Sequence, residues 1–190
     1  MMAVVSGVEE PQTEELREFY ARLEKGSGGL GVLNILKVMA HSPRLLRAWV
    51  RMATIALTGL ELSPRLRELA ILRVFQNSGG EYGFAHHVRY GRQAGLRDEE
   101  IAALKSYEND AGFSELDRLA VRYADAVTQL RDDAAHLAAE LRERLSEREL
   151  VELTFCIAHW NMVARILQPL QVEVDPSLIA ELPAGWRDWM

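Results

Sequence analysis

One cysteine in 190 residues, Cys156, cannot close an intrachain disulfide and cannot supply a CxxC redox pair or a zinc-thiolate site. A reducing cytoplasm suits such a chain. Clustered positive charge is also missing. The formal net charge is -6 and no run of Lys and Arg stands out, so the electrostatic footprint of a DNA or RNA binder is absent. The N-terminal segment MMAVVSGVEEPQTEE turns acidic after a few apolar residues and lacks the basic start and long apolar core of a signal peptide, so secretion is not expected. No apolar run is long and unbroken. The longest, Leu150 to Leu170, is interrupted by Glu152, His159, Asn161, Arg165 and Gln168, which reads as a buried helix of a soluble protein and not a membrane span. Several catalytic signatures are absent: HEXXH, GxSxG, GxxxxGK[ST], and GxGxxG in its strand-to-helix context. The GSGGLG run at Gly26 follows a helical stretch and not a strand, so it is a loop.

What is present is helical. Hydrophobic residues make up 48% and charged residues 26% of the chain, ordinary for a packed globular protein. Strand-like alternation persists nowhere, whereas start and stop signals for helices recur from end to end, giving an all-α fold of about eight or nine helices in two layers. Thr13 caps a helix that GSGG then breaks, and a short helix covers Val32 to Ala40. Ser42-Pro43 and Ser63-Pro64 each place a hydroxyl before a proline at the first helical position. These open helices to about Thr58 and about Phe75. The next runs from Glu81 to a glycine cap at Gly95, and shorter helices start at Asp98, Ser114 and Asp132 or Asp133. Ser146 with Glu149 makes a capping box for the longest helix, which reaches about Leu170. The expected organisation is an N-terminal helix and Gly-rich loop over 1–30, a helical domain over 31–174, and an irregular tail over 175–190 carrying Trp186 and Trp189.

At 100° per residue, Glu68 shares an arc with Ile71, Leu72 and Phe75, so its carboxylate points into apolar surroundings. A lone buried carboxylate is unfavourable, and the remedies are a partner, a hydrogen bond or a raised pKa. The last would suit general acid or base work, while a bridge to Arg65 or another arginine would be purely structural; the spacing alone does not choose. On the following helix His87 shares a face with Gly83, Gly91 and Ala94, and His86 lies on a neighbouring face with Tyr82, Tyr90 and Gln93. A histidine beside a buried glutamate makes a proton-transfer pair; an isolated HH can equally be one core and one surface residue. The adjacent histidines lack the i, i+4 spacing of a metal pair, so no metal is expected. On the longest helix, His159, Trp160 and Asn161 either line a pocket or are core groups with hydrogen-bonded tips, and Cys156 has no neighbour that would activate it.

Four runs, RELAILRV, EYGFAHH, AGLRDEEIAAL and FCIAHWNMVARILQ, with a looser AHSPRLLRAW at Ala40, resemble the carboxymuconolactone decarboxylase family, whose superfamily includes the alkylhydroperoxidase D-like proteins. The resemblance spans about Leu33 to Val174. In the thiol-dependent members a glutamate precedes a CxxCxxxH motif, and these groups relay protons during peroxide reduction. Here Glu68 matches the glutamate and His87 the histidine, but the cysteine positions hold Gly80 and Gly83. The chain therefore resembles a cysteine-free branch with EYxxAHH in place of the thiol motif.

For that branch the resemblance implies an all-α, alkylhydroperoxidase D-like fold, assembly as a homo-oligomer (dimer, trimer or hexamer), no cofactor, and a small-molecule substrate. The expected activity is a cofactor-independent lyase or isomerase that transfers a proton on, or decarboxylates, a small carboxylated or lactone substrate. Glu68 and His87 are the expected catalytic pair, with Glu81, Tyr82, His86, His159, Trp160 and Asn161 around the substrate. Thiol peroxidase activity is not expected. The alternative is a non-catalytic oligomeric protein that binds a small ligand.

Overall fold

The computed structural model describes residues 3–190; Met1 and Met2, at the start of the expected N-terminal segment, lie outside the described residues. Helices are the only regular elements among them: α1 (Glu14–Gly26), α2 (Asn34–Met39), α3 (Pro43–Thr58), α4 (Pro64–Ser78), α5 (Glu81–Gln93), α6 (Asp98–Ala103), α7 (Glu115–Gln129), α8 (Ala134–Arg142), α9 (Glu147–Leu170) and α10 (Pro176–Ile179). Two 3-10 helices, Leu104–Asn109 and Trp186–Trp189, complete the set. The all-α expectation holds, with α10 as an addition inside the segment read as irregular.

Local chemistry accounts for most boundaries. Thr13 accepts from the Leu16 amide, and reciprocal capping boxes at Ser114 with Asp117 and Ser146 with Glu149 start α7 and α9. Pro43 and Pro64 open α3 and α4 as expected, but neither Ser42 nor Ser63 makes the cap hydrogen bond; the prolines alone mark those starts. The turn that matters most follows α4. Gly79 adopts a left-handed φ of 64°, and the Gly80 amide donates to the Phe75 carbonyl at 2.9 Å. That six-to-one closure stops the helix and turns the chain back on itself, so α5 returns against α4. Without it, residues 19 positions apart on the two helices would not face each other.

Helix α4 is the hub, packed between α5, α7 and α9. It is buried over most of its circumference, with Leu66, Leu69, Ala70, Ile71, Leu72, Val74 and Phe75 enclosed beside Arg67 and Glu68, as a central helix must be. Partly buried ion pairs then fix its rotation. Arg65 donates to Glu100 and Asp117, and Arg73 to Asp125, which also accepts from Asn77 and the Tyr107 hydroxyl. One contiguous core reaches from Leu16 and Tyr20 of α1 to Leu178 and Trp186 near the C-terminus. Helix α9 is the one helix among the described residues long and apolar enough to cross a membrane, and 56% of that apolar window is buried inside the fold.

One buried side chain in this packing has no polar partner. His159 of α9 stacks between Trp49 and Phe155 and meets the edge of Trp160, and neither ring nitrogen has a hydrogen bond. Burial, with a smaller contribution from His87, lowers its pKa to about 4. A histidine depressed in the folded state stabilises fully above its unfolded pKa near 6.5, and that contribution is lost as pH falls toward 4.

Three outcomes follow for stability. In urea titrations Asp125→Ala should lower the unfolding free energy by about 3–5 kcal/mol, because Arg73, Asn77 and the Tyr107 hydroxyl lose their shared, buried acceptor. Asp98→Ala, which removes an exposed partner of Arg92, should change it by less than about 1 kcal/mol. Between pH 7 and pH 5, His159→Phe should remove about 2 kcal/mol of the stability loss that the unaltered protein shows. An unchanged pH dependence in that variant would contradict the buried neutral imidazole.

Candidate functional site

The α4–α5 turn brings Glu68 and His87 together. Glu68 is completely buried, and its Oε2 accepts from His87 Nδ1 at 2.7 Å while Oε1 accepts from Arg67 Nε at 2.8 Å. Both oxygens of the buried carboxylate are thus satisfied, one by a histidine and one by an arginine. The arginine is Arg67 and not Arg65, which is held by Glu100 and Asp117. Adjacent helical positions do not face each other, so this pair depends on the long Arg67 side chain folding along the helix surface.

Glu68 fixes the His87 proton on Nδ1 and leaves Nε2 with a lone pair. Nε2 makes no hydrogen bond to any described residue, yet is not among the fully enclosed unpartnered atoms, and the ring borders a cavity. Burial lowers the His87 pKa, against the opposing pull of Glu68. The neutral imidazole with a free Nε2 is a base with its tautomer set by the partner behind it.

The cavity holds about 90 Å³ and is walled by Trp49, Ala53 and Leu57 of α3, Phe75 of α4, Trp160, Val163 and Leu167 of α9, and the Tyr82, His86, His87 and Tyr90 side of α5. Around the imidazole, the rings of Phe75, Tyr90 and Trp160 lie 5.5, 5.4 and 5.1 Å away, centre to centre. No lysine or arginine borders this cavity. A wider groove adjoins it at Tyr90, Leu33 and Leu57, and there Arg22 and Arg67 are part of the wall.

His86 takes a different partner from His87. Its Nε2 meets Asp175 Oδ2 at 2.9 Å, and the Tyr82 hydroxyl donates to the same oxygen at 2.8 Å. Asp175 Oδ1 accepts from the Asn34 amide at 2.8 Å. Burial alone would raise the Asp175 pKa, but the hydrogen bonds from His86, Tyr82 and the Asn34 amide outweigh it and hold the group below the usual range. Burial and the neighbouring Asp175 push Tyr82 well above the usual phenol value, so it stays a donor.

Of the residues expected from the sequence, Glu68 and His87 are in direct contact, and Tyr82, His86 and Trp160 border the same cavity. His159 does not border it; it lies behind Trp160, stacked as described above. Two others are engaged elsewhere. Glu81 opens α5 at the surface and pairs with Arg187 at 2.6 Å. Asn161 points from α9 toward α7, donating to Thr128 and the Ile157 carbonyl and accepting from Arg165. Its neighbour Trp160 reaches the cavity because successive residues on a helix point some 100° apart. Asp175, Arg67 and Trp49 were not anticipated. Asp175 lies in a segment without periodicity, and its position just before Pro176 signals only the start of a helix.

The positions that resemble a thiol pair are filled in another way. A Cβ added at Gly83 would stand 2.0 Å from two atoms of the Phe75 ring, and one at Gly80 would stand 2.6 Å from it. Phe75 therefore occupies the space that two side chains there would need, and its ring packs on His87. Cys156 is fully buried, and burial pushes its thiol up to about 12.

With this geometry in hand, comparison with known proteins is informative at two levels. No curated protein sequence matches the chain. Among solved structures it is similar to a peroxidase-related protein from Silicibacter sp. TM1040, at 19% identity and TM-score 0.78, covering 90% of both chains. A second, from Ralstonia eutropha JMP134, is a peroxidase-related protein with an alkylhydroperoxidase AhpD core, at 16% identity and TM-score 0.75, covering 92% of this chain and 94% of that one. The debrominase Bmp8, solved in complex with 2,3,4-tribromopyrrole, aligns at 17% identity and TM-score 0.76 over 95% and 96% of the two chains. These likenesses establish the fold. Residues 43–126, which include Glu68, His86 and His87, match the model of the carboxymuconolactone decarboxylase family. Over that segment the chain is similar to the carboxymuconolactone decarboxylase family, and its fold is AhpD-like.

Proposed function

We propose that this protein is a cofactor-independent lyase or isomerase that moves a proton on a small, lactone-like ring, with His87 as the general acid and base. The observation that carries this reading is the 2.7 Å hydrogen bond from His87 Nδ1 to the buried Glu68, with the other ring nitrogen free beside an apolar cavity. Glu68 is enclosed and does not border the cavity, so it acts through His87 as a positioning residue.

The cavity restricts the substrate. Its 90 Å³ suits a small ring beside His87, and the wider groove that adjoins it leaves room for a substituent. Its apolar wall strengthens any charge that develops inside it, and an enolate formed there would find the Tyr90 hydroxyl and the imidazolium of His87 nearby. A substrate carboxylate finds no cation in the cavity. Such a group is best placed in the adjoining groove, toward Arg67. Decarboxylation and a simple double-bond shift share the same need, a proton returned to a delocalised carbanion.

Catalysis by thiol-based peroxide reduction is disfavoured on the residues themselves: Gly80 and Gly83 carry no sulfur and Cys156 is buried with a raised pKa. Homo-oligomeric assembly is supported by apolar residues left exposed along α9, Val151, Phe155 and Met162, and sedimentation velocity reads it directly.

Two probes test the reading. Small unsaturated lactone acids report release of CO2, and α-angelica lactone reports exchange of its α-proton with D2O and conversion to the conjugated isomer. His87→Gln should keep the melting temperature close to that of the unaltered protein, since the amide can still donate to Glu68, and should lower turnover by about 10²–10⁴-fold. Cys156→Ser should leave turnover intact. Equal proton exchange with and without the His87 imidazole would overturn the reading, and ligand binding without any turnover would favour a small-molecule binding protein.

A further inference from the structure

His87 is not the only imidazole at the cavity with a carboxylate behind it. His86 borders the same space, and its Nε2 lies 2.9 Å from Asp175. The two carboxylates come from unrelated parts of the chain, Glu68 from α4 and Asp175 from the segment after α9, and they engage opposite ring nitrogens. Nδ1 of His86, like Nε2 of His87, has no hydrogen bond to a described residue and is not fully enclosed.

Asp175 is held more firmly than a tail residue needs to be. It is 4% exposed, its Oδ1 takes the Asn34 amide, and Asn34 Nδ2 donates to the Glu173 carbonyl at 3.0 Å beside it. Its own carbonyl starts α10, whose Leu178 is fully buried. Tyr82, stacked on His86 at 4.6 Å between ring centres, shares the same carboxylate oxygen. The backbone, two side chains and a buried anchor therefore converge on one oxygen pair, fixing the direction in which His86 presents its free nitrogen.

We infer that His86 with Asp175 forms a second proton-transfer pair, so that the cavity carries out an allylic proton shift, removing a proton from one carbon of a small unsaturated ring and returning one to another. This rests on the reading of His87 given above and adds to it a substrate class, a donor and a positioning residue, Asp175. In the forward direction Nε2 of His87 takes a proton and one C–H bond breaks. The freed electron pair moves through the conjugated system, and a proton taken up at Nδ1 of His86 passes to the far carbon, where a new C–H bond forms. Asp175 offsets the charge on His86 before transfer, as Glu68 offsets the charge on His87 after it. Atoms and electrons balance within the substrate, no oxidant or reductant enters, and proton exchange between the two histidines through solvent restores the start.

Asp175→Asn separates this role from that of a latch for the tail. The amide keeps an oxygen for the Asn34 amide but turns its NH2 toward Tyr82 and His86, so Nε2 of His86 must become an acceptor and the proton must move to Nδ1. Imidazole 15N shifts should report that tautomer change at His86 and leave His87 unaltered. With α-angelica lactone in D2O, Asp175→Asn and His86→Gln should both keep exchange of the α-proton while formation of the conjugated isomer falls by about 10²-fold. Parallel loss of exchange and isomer in both variants, loss of neither, or His86 keeping its Nε2 proton in Asp175→Asn would overturn the inference. Exchange that survives His87→Gln overturns instead the reading on which it rests.

Discussion

A carboxylate with no exposed surface has to be matched by donors that are equally fixed, and Glu68 is matched by two: His87 through Nδ1 at 2.7 Å and Arg67 through Nε at 2.8 Å. The rest of the molecule is arranged so that this can happen. The apolar side chains of α4 place the helix at the centre of the fold, the Arg65 and Arg73 ion pairs set its rotation, and the left-handed Gly79 turns α5 back so that His87 arrives opposite Glu68. Loss of any one of these would leave a buried charge without its partner, a penalty of several kcal/mol. The hydrogen bond is thus a demand on the fold as much as a product of it.

The same bond sets the chemistry. A carboxylate behind Nδ1 leaves Nε2 as a base, and the surrounding Phe75, Tyr90 and Trp160 rings keep the imidazole neutral by burial. Phe75 has a double part. It walls the cavity beside His87 and fills the space next to Gly80 and Gly83, where a side chain would collide with its ring. On this AhpD-like fold an aromatic ring thus fills the space that side chains at those two positions would need.

Much of this was legible before any coordinates. Periodicity, prolines and capping boxes located nine helices, because those signals act within a few residues of the boundary they mark. The helical arc gave Glu68 as buried, and the family motifs pointed to His87 as its counterpart. Contacts that depend on distant chain segments were not legible. Asp175 reaches His86 across 89 positions, from a stretch with no period to read. The spacing offered Arg65 or another arginine without naming Arg67, since adjacent helical residues ordinarily diverge. Glu81 and Asn161 were drawn toward the site by nearness in sequence to residues that do reach it, whereas the direction of a side chain on a helix changes by some 100° at each step.

The central claim is that His87 rests with its proton on Nδ1, facing Glu68, and a bare Nε2 facing the cavity. The 15N shifts of the His87 imidazole, measured at neutral pH in the unaltered protein and in Glu68→Gln, test it most directly. The account predicts a protonated Nδ1 and an unprotonated Nε2 in the former, and a change at both nitrogens when Glu68 becomes an amide. A His87 that carries its proton on Nε2 in the unaltered protein would contradict it, since no base would then face the cavity.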